Sequence, residues 1–200
     1  MPGNLPGISR GEPLDKLGIR DLNQGEIYFD GVRISKDSLL VGPEDYEKGL
    51  ARVLSGTTAA TGMYCVGLAR AAFEEALNYA RERVQGGKRL VEHKSVQQKL
   101  FDMFRKVETS RQLCRAALVH NWNNPPKTRS IEHGIAAKTY ATQVSLDVTS
   151  DAIQIFGGIG ITREYIAEKL FRDARTTLIS DGSNDVLSMD GGYRISRTYK

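Results

Sequence analysis

Between residues 94 and 125 the positions Val96, Leu100, Met103, Val107, Ser110, Cys114 and Ala117 return every four or three residues, the period of one helical face. This predicts a helix that stops before Asn123, Asn124, Pro125 and Pro126. Beyond that turn, Ile135, Thr139, Thr142, Leu146, Thr149, Ile153 and Phe156 keep the same spacing, and Ala137, Ala141, Val144, Val148 and Ile155 form a second row beside them. Two adjacent rows predict a helix buried on most sides.

Upstream, Gly42 and Pro43 open another helical stretch, with Glu44 and Asp45 placed to complement the helix dipole. Leu50, Val53, Leu54, Thr57, Ala60, Tyr64, Gly67, Ala71 and Val84 fall near one stripe, and the many small residues predict close approach of a neighbouring helix. Gly86 and Gly87 are the expected stop. A shorter helix over residues 163–171, capped by Thr162, follows the third long one. Residues 1–41 differ: they hold three of the six prolines and one alternating segment, EIYFDGVRI, in which Ile27, Phe29 and Val32 face one way around a turn at Asp30 and Gly31. Two short strands cannot bury a face alone, so this segment packs on something else or is the remnant of a larger sheet. The predicted fold class is mostly α: an antiparallel, up-and-down bundle of the four-helix type preceded by a short β-strand remnant.

Composition narrows this picture. With 40% hydrophobic residues in 200, a sizeable core is available. The net charge of +4 is spread among alternating signs, as in ARERVQGGKRLVEH, which describes solvated helix faces rather than a nucleic-acid surface. Cys65 and Cys114 have neither metal-ligand spacing nor a disulfide framework, so a reducing, cytoplasmic setting is expected. No stretch reads as a leader or a membrane span. His93, His120 and His133 are scattered, and surface or helix-end positions are expected for them, with no metal site.

Three segments carry candidate chemistry. Gly157, Gly158 and Gly160 in QIFGGIGIT are either a helix stop and turn or a place where backbone amides approach a phosphate. The preceding helical pattern excludes the strand-turn-helix dinucleotide fingerprint. The basic residues of YARERVQGGKRL either clamp an anion or solvate a helix end. In LISDGSNDVL, spacing alone makes Asp181 or Ser183 the cap of a last short helix.

The order YARERVQGG, EHKSVQQKLFDM, SDAIQIFGGIGIT, EKLFRDAR, LISDGSND resembles the C-terminal helical domain of the acyl-CoA dehydrogenases, and LGIRDLNQGEIYFDGVRISKDSLLVG resembles the end of that family's middle β-domain. The resemblance implies a partial β-domain over 1–41 and the helical bundle domain over 42–200. It also implies an FAD-dependent oxidoreductase that dehydrogenates an acyl-CoA thioester between its α and β carbons, passes electrons to an acceptor protein, and assembles as a homo-oligomer, a dimer or tetramer.

By the same resemblance Asp181 is the catalytic base, in the place of the family's Glu-Gly-Thr motif, which reads Asp181, Gly182 and Ser183. Desolvation beside an apolar acyl chain makes a carboxylate a stronger base. Arg83 and Gln85 are implied to reach the FAD of a neighbouring subunit, and Gln154, Gly157 and Gly158 to pass its pyrophosphate. Ser183 and Asp185 approach the adenosine end, and Arg52 and Gly182 lie near the acyl-CoA. Some members place the base on the first bundle helix, at the position matched to Ala51, which carries no acid.

Three departures from the family pattern stand out. Aspartate replaces glutamate, shortening the reach by one C–C bond, about 1.5 Å, so either the backbone or the substrate shifts, as for a branched, cyclic or aromatic acyl group, or the activity is low. Gly86 replaces an aromatic residue. The family's N-terminal helical domain and most of its β-domain have no counterpart in these 200 residues, so the resemblance implies a C-terminal portion, or a chain completed by a partner. The alternative reading is a non-catalytic helical oligomerisation module or a partner subunit of such a complex.

Overall fold

The computed structural model describes residues 3–125 and 130–198, with the side chains of residues 48, 51, 52, 55 and 198 outside the description. Five helices make the body: α1 Tyr46–Glu82, α2 Lys94–Asn123, α3 Ile131–Phe156, α4 Ala167–Thr177 and α5 Asn184–Thr198. Helices α1, α2, α3 and α4 run up, down, up and down. Tyr79 of α1 stacks on Phe156 of α3 at 4.3 Å, so the C-terminal ends of these two helices lie together. α4 and α5 then descend α3 in tandem: Tyr165, just before α4, packs on Phe156, whereas the linker between α4 and α5 sits on Lys138 and Gly191 of α5 faces Ile135.

The α2 row is buried as its period predicts, from Leu100 to Ala117, with Val96 half-buried. On α3 the second row is buried throughout, and Ile135, Thr142, Thr149 and Phe156 join it. Threonines are tolerated there because each hydroxyl donates to a carbonyl one turn back, Thr142 to Lys138 O at 2.9 Å and Thr149 to Ser145 O at 2.8 Å. Ser130 caps α3 by accepting from His133 N at 3.2 Å, and Asn121 of α2 braces that cap from both sides. α2 runs through Asn123, one residue further than predicted, and Pro126 lies outside the described residues.

Helix α1 buries a different stripe from the predicted one. Its core face is Ala59, Gly62, Cys65, Val66, Ala69, Ala72, Ala76 and Ala80, while Leu50, Val53, Thr57, Ala60, Tyr64, Gly67 and Val84 are exposed and Leu54 and Ala71 half-buried. Size decided the orientation. A Cβ on Gly62 would stand 2.8 Å from Cys114 Sγ and 3.1 Å from Ala137 O, so α1 meets α2 and α3 at a separation that only small side chains allow.

Three boundaries also differ. α1 ends at Glu82, and Gly86 and Gly87 (φ +63° and +80°) form instead the two-residue turn of a hairpin between β3 Val84–Gln85 and β4 Lys88–Arg89. Positive φ at both central residues matches the right-handed strand twist, which explains two glycines there. Thr162 caps only the turn before α4, accepting from Glu164 N at 3.3 Å, and α4 itself runs Ala167–Thr177 rather than 163–171. In the N-terminal segment the partner of β2 Ile27–Phe29 is β1 Ile8–Arg10, antiparallel with Ile8 opposite Phe29, and Val32 lies outside any strand. Strand β2 leaves large apolar side chains exposed, Ile27, Tyr28 and Phe29, whereas Ile8 of β1 is half-buried. Nearby chain docks on α4, where Ile19 N donates to the buried Asp173 at 2.6 Å and Arg172 Nη1 to Leu17 O at 2.8 Å.

Candidate active site

The linker between α4 and α5 answers the question of which residue caps. Ser183 is the cap: its Oγ accepts from Val186 N at 3.4 Å in the first turn of α5. Asp181 is free of that duty. Its backbone is left-handed (φ +55°), a conformation that short polar side chains tolerate better than most, and Gly182 follows at φ +93°. The exposed carboxylate accepts a hydrogen bond from Thr61 Oγ1 on α1 at 3.1 Å. Thr61 Oγ1 lies equally far from Thr57 O, so its single proton is shared between the helix and Asp181.

Beneath this linker lies Lys138, fully buried in α3. Its ammonium donates to Gly182 O at 2.7 Å, Asn184 Oδ1 at 2.9 Å and, at longer range, Leu178 O at 3.5 Å. Burial pushes the lysine below its ordinary pKa, with Cys65 and the Asp181 carboxylate opposing. Asn184 is held in turn, its Nδ2 donating to Thr142 Oγ1 at 2.9 Å.

At the other end of the bundle a cleft of about 740 Å³ is lined by Tyr79, Arg83, Gln85, Phe156, Gly157, Gly158 and Tyr165, among others. It gathers two segments some seventy positions apart in sequence. Tyr79, Phe156 and Tyr165 form an aromatic cluster, with ring centroids 4.3 to 5.7 Å apart. Gly157 ends α3 at φ +67°, ψ −144°, a region open in practice to glycine alone, and neither Gly157 nor Gly158 has any atom within 4 Å of where a Cβ would stand. The main chain is thus bare toward the cleft. Gly160 differs, since its Cβ would meet Phe156 Cβ at 2.7 Å, and it closes the turn. On the opposite wall, Arg83 O accepts from Leu90 N at 2.8 Å and His93 Nε2 lies 3.0 Å from Gln85 O, fixing the hairpin. Glu82 and Glu164 also line the cleft, so one arginine faces two carboxylates and the lining offers an anion main-chain dipoles more than net charge.

The two groups do not meet within one chain. From Thr61 to Arg83 is 22 residues of α1, about 33 Å, and from Lys138 to Gly157 is 19 residues of α3, about 28 Å. Asp181, Gly182, Ser183 and the exposed Asp185 therefore share one end, and Arg83, Gln85, Gly157 and Gly158 the other. Gln154 is exposed on α3 just before the cleft and is not among its lining residues. Arg52 and Ala51 lie in α1, nine and ten residues before Thr61 or about 14–15 Å along the axis; their side chains are outside the described residues. The turn of α1 that does meet Asp181, through Thr61, carries no acid.

Pattern reading missed Thr61, Lys138 and Asn184. A charged residue between the buried rows of α3 was the available signal for Lys138. The histidines are half-buried or exposed, as expected, and no group of three acids, histidines or cysteines among the described residues can hold a metal ion. No helix among the described residues is long and apolar enough to cross a membrane.

Residues 50–195 match the family model described as acyl-CoA dehydrogenase, C-terminal domain. The chain is 35% identical over 190 residues to cyclohexane-1-carbonyl-CoA dehydrogenase of Geobacter metallireducens, an alignment covering 93% of this chain and 48% of that protein. Among solved structures, butyryl-CoA dehydrogenase of Megasphaera elsdenii superposes with TM-score 0.91 at 32% identity, over 98% of this chain and 51% of that one. A structure described as that of the electron transferring flavoprotein of Acidaminococcus fermentans gives TM-score 0.91 at 31% identity, over 98% of this chain and 51% of that one. The chain spans about half the length of the curated relatives it matches.

Proposed function

Since the chain belongs to the acyl-CoA dehydrogenase family, through its C-terminal domain, we propose that it serves α,β-dehydrogenation of an acyl-CoA thioester with Asp181 as the base. The observation that carries this reading is the placement of the Asp181 carboxylate: solvent-facing, on a left-handed residue, held by Thr61 and braced from below by Lys138 through Gly182. In an exposed linker a carboxylate with only a capping role would bond the helix amides, and Ser183 does that instead.

Asp181 takes the α-proton of the bound thioester. Thr61, whose proton can swing to Thr57 O, holds the carboxylate in line and can release it as the proton arrives. Charge that develops on the thioester oxygen is met by the backbone amide of Asp181, as the resemblance implies. The carboxylate is exposed in this chain, so the acyl group and neighbouring protein must supply the dry surroundings that strengthen it as a base.

The cleft at the opposite end suits the diphosphate portion of FAD, because bare main chain at Gly157 and Gly158 permits close approach and Arg83 stands at the rim. When bound, FAD supplies the acceptor for the β-hydride. Arg83, Gln85, Gly157 and Gly158 would hold it from one chain, with Gln154 alongside, while Ser183 and Asp185 approach it from another. The separation of about 28–33 Å between the two groups supports a site completed by a second copy, a dimer or tetramer. The electron acceptor in this reading is an electron-transferring flavoprotein, the kind of protein for which one structural neighbour is named.

For the substrate we favour the CoA thioester of a cyclic or branched acid, with Arg52 and Gly182 on the acyl-CoA side. Aspartate reaches about 1.5 Å less than glutamate, and a ring carbon at the α position can sit closer to the base than a straight chain does. The relative from Geobacter metallireducens is named for a cyclic substrate. The test compares cyclohexanoyl-CoA with butyryl-CoA for the flavin-loaded protein and its Asp181→Asn variant. Cyclic turnover that the variant loses by at least a hundredfold is expected, and equal turnover by the variant would remove Asp181 from the mechanism.

A further inference from the structure

We infer that Lys138 is the positioning residue of the Asp181 base, an inference that rests on the reading of Asp181 above. It fixes the linker by clamping the carbonyls of Gly182 and Leu178, which flank Asp181, together with the Asn184 side chain just beyond. An ammonium has three protons to donate, and these three acceptors satisfy them. None is a carboxylate, although burying a cation without a bonded counter-ion is costly.

An apolar side chain of similar length would fill the same space without that penalty. What it could not do is hold two carbonyls on either side of a left-handed aspartate. Asp181 is strained toward other conformations, and its one side-chain tether among the described residues, Thr61, shares its proton with Thr57. The clamp supplies the missing constraint. Asn184 extends it into α3 through Thr142, so that the linker is keyed to the most buried helix of the bundle.

The test uses Lys138→Met, Asn184→Ala and Asp181→Asn in the flavin-loaded protein. It reads kcat and KM for an acyl-CoA together with amide hydrogen exchange of residues 178–186. Lys138→Met is expected to speed exchange in that segment at least tenfold and to lower kcat by about a hundredfold, the scale of a misplacement near 1 Å, with KM changed less than threefold. Asn184→Ala, which leaves the lysine in place, is expected to show the same split at smaller size, and it decides the matter where Lys138→Met does not fold. Faster exchange spread evenly over the chain rather than centred on 178–186, or exchange and kcat both unchanged in a folded variant, overturns the assignment. If Asp181→Asn retains its rate, the base reading falls, and the exchange measurement still decides the clamp: acceleration at 178–186 upholds it and its absence overturns it.

Discussion

Adding one methyl group at Gly62 tests the packing that brings Thr61 to Asp181. A Cβ there would lie 2.8 Å from Cys114 Sγ and 3.1 Å from Ala137 O. Restoring ordinary contact requires α1 to withdraw by about 0.6 Å from the sulfur or about 0.3 Å from the carbonyl. Overpacking of this kind costs about 1–3 kcal/mol, whereas replacing a helical glycine by alanine gains about 1 kcal/mol. Gly67 isolates the second effect, being on the same helix, exposed, and clear of any atom within 4 Å. The difference between Gly62→Ala and Gly67→Ala is therefore the packing cost alone, about 2 kcal/mol at mid-range. At 2–4 °C per kcal/mol this gives a Tm gap of roughly 4–8 °C by calorimetry. Movement of α1 should also stretch the 3.1 Å Thr61 to Asp181 bond toward its limit and lower kcat in the Gly62 variant only. Equal stabilisation by both substitutions would refute the close-approach account.

Three further outcomes follow from the same structure. The Arg172 guanidinium makes two hydrogen bonds to Glu168, at 2.6 and 3.0 Å, and holds that carboxyl below its ordinary pKa of 4.5. Its stabilisation is fully present well above pH 4.5 and lost as pH falls through the lower folded value, so Arg172→Met should destabilise by about 0.5–1 kcal/mol at pH 7 and by less at pH 3. Burial pushes the Cys114 thiol up to about 12, and Cys65 is raised as well, so both should resist a thiol reagent at pH 8 until the protein is unfolded. Because the unfolded thiols ionise near 9.0, stability should decline between pH 9 and 12, and Cys114→Ala should lessen that decline. Tyr79→Ala should open the aromatic cluster and weaken flavin retention in a dialysis assay, with the Asp181 linker unaffected about 27 Å along α1.

Helices α2 and α3 were legible in the sequence because bulky residues such as Met103, Val107 and Val148 mark the buried face directly. α1 misled for a physical reason: its seam selects for smallness, so alanine and glycine face the core while Leu50, Val53 and Tyr64 face outward. The pairing of Ile8–Arg10 with Ile27–Phe29 spans a long connection with no hairpin signal, and period alone cannot choose a distant partner. At the site, spacing left Asp181 and Ser183 as equal candidates for the cap, and the resemblance separated them. Ser183 takes the cap while Asp181 is tethered to Thr61, 120 positions away in sequence. The meeting of Arg83 and Gln85 with Gly157 and Gly158 is likewise a product of the fold, invisible to local pattern. Lys138 escaped notice because a lysine after two alanines reads as a solvated helical position, when it is the largest fully buried side chain of the molecule's described residues.

The central claim is that the Asp181 carboxylate removes the α-proton. Deuterium uptake at the α-carbon of a bound acyl-CoA in D₂O, with the bound flavin reduced beforehand so that it cannot take the β-hydride, measures that step apart from oxidation. The account predicts uptake by the flavin-loaded protein, a loss of a hundredfold or more in Asp181→Asn, and recovery in Asp181→Glu. Uptake by Asp181→Asn at the parent rate would contradict it.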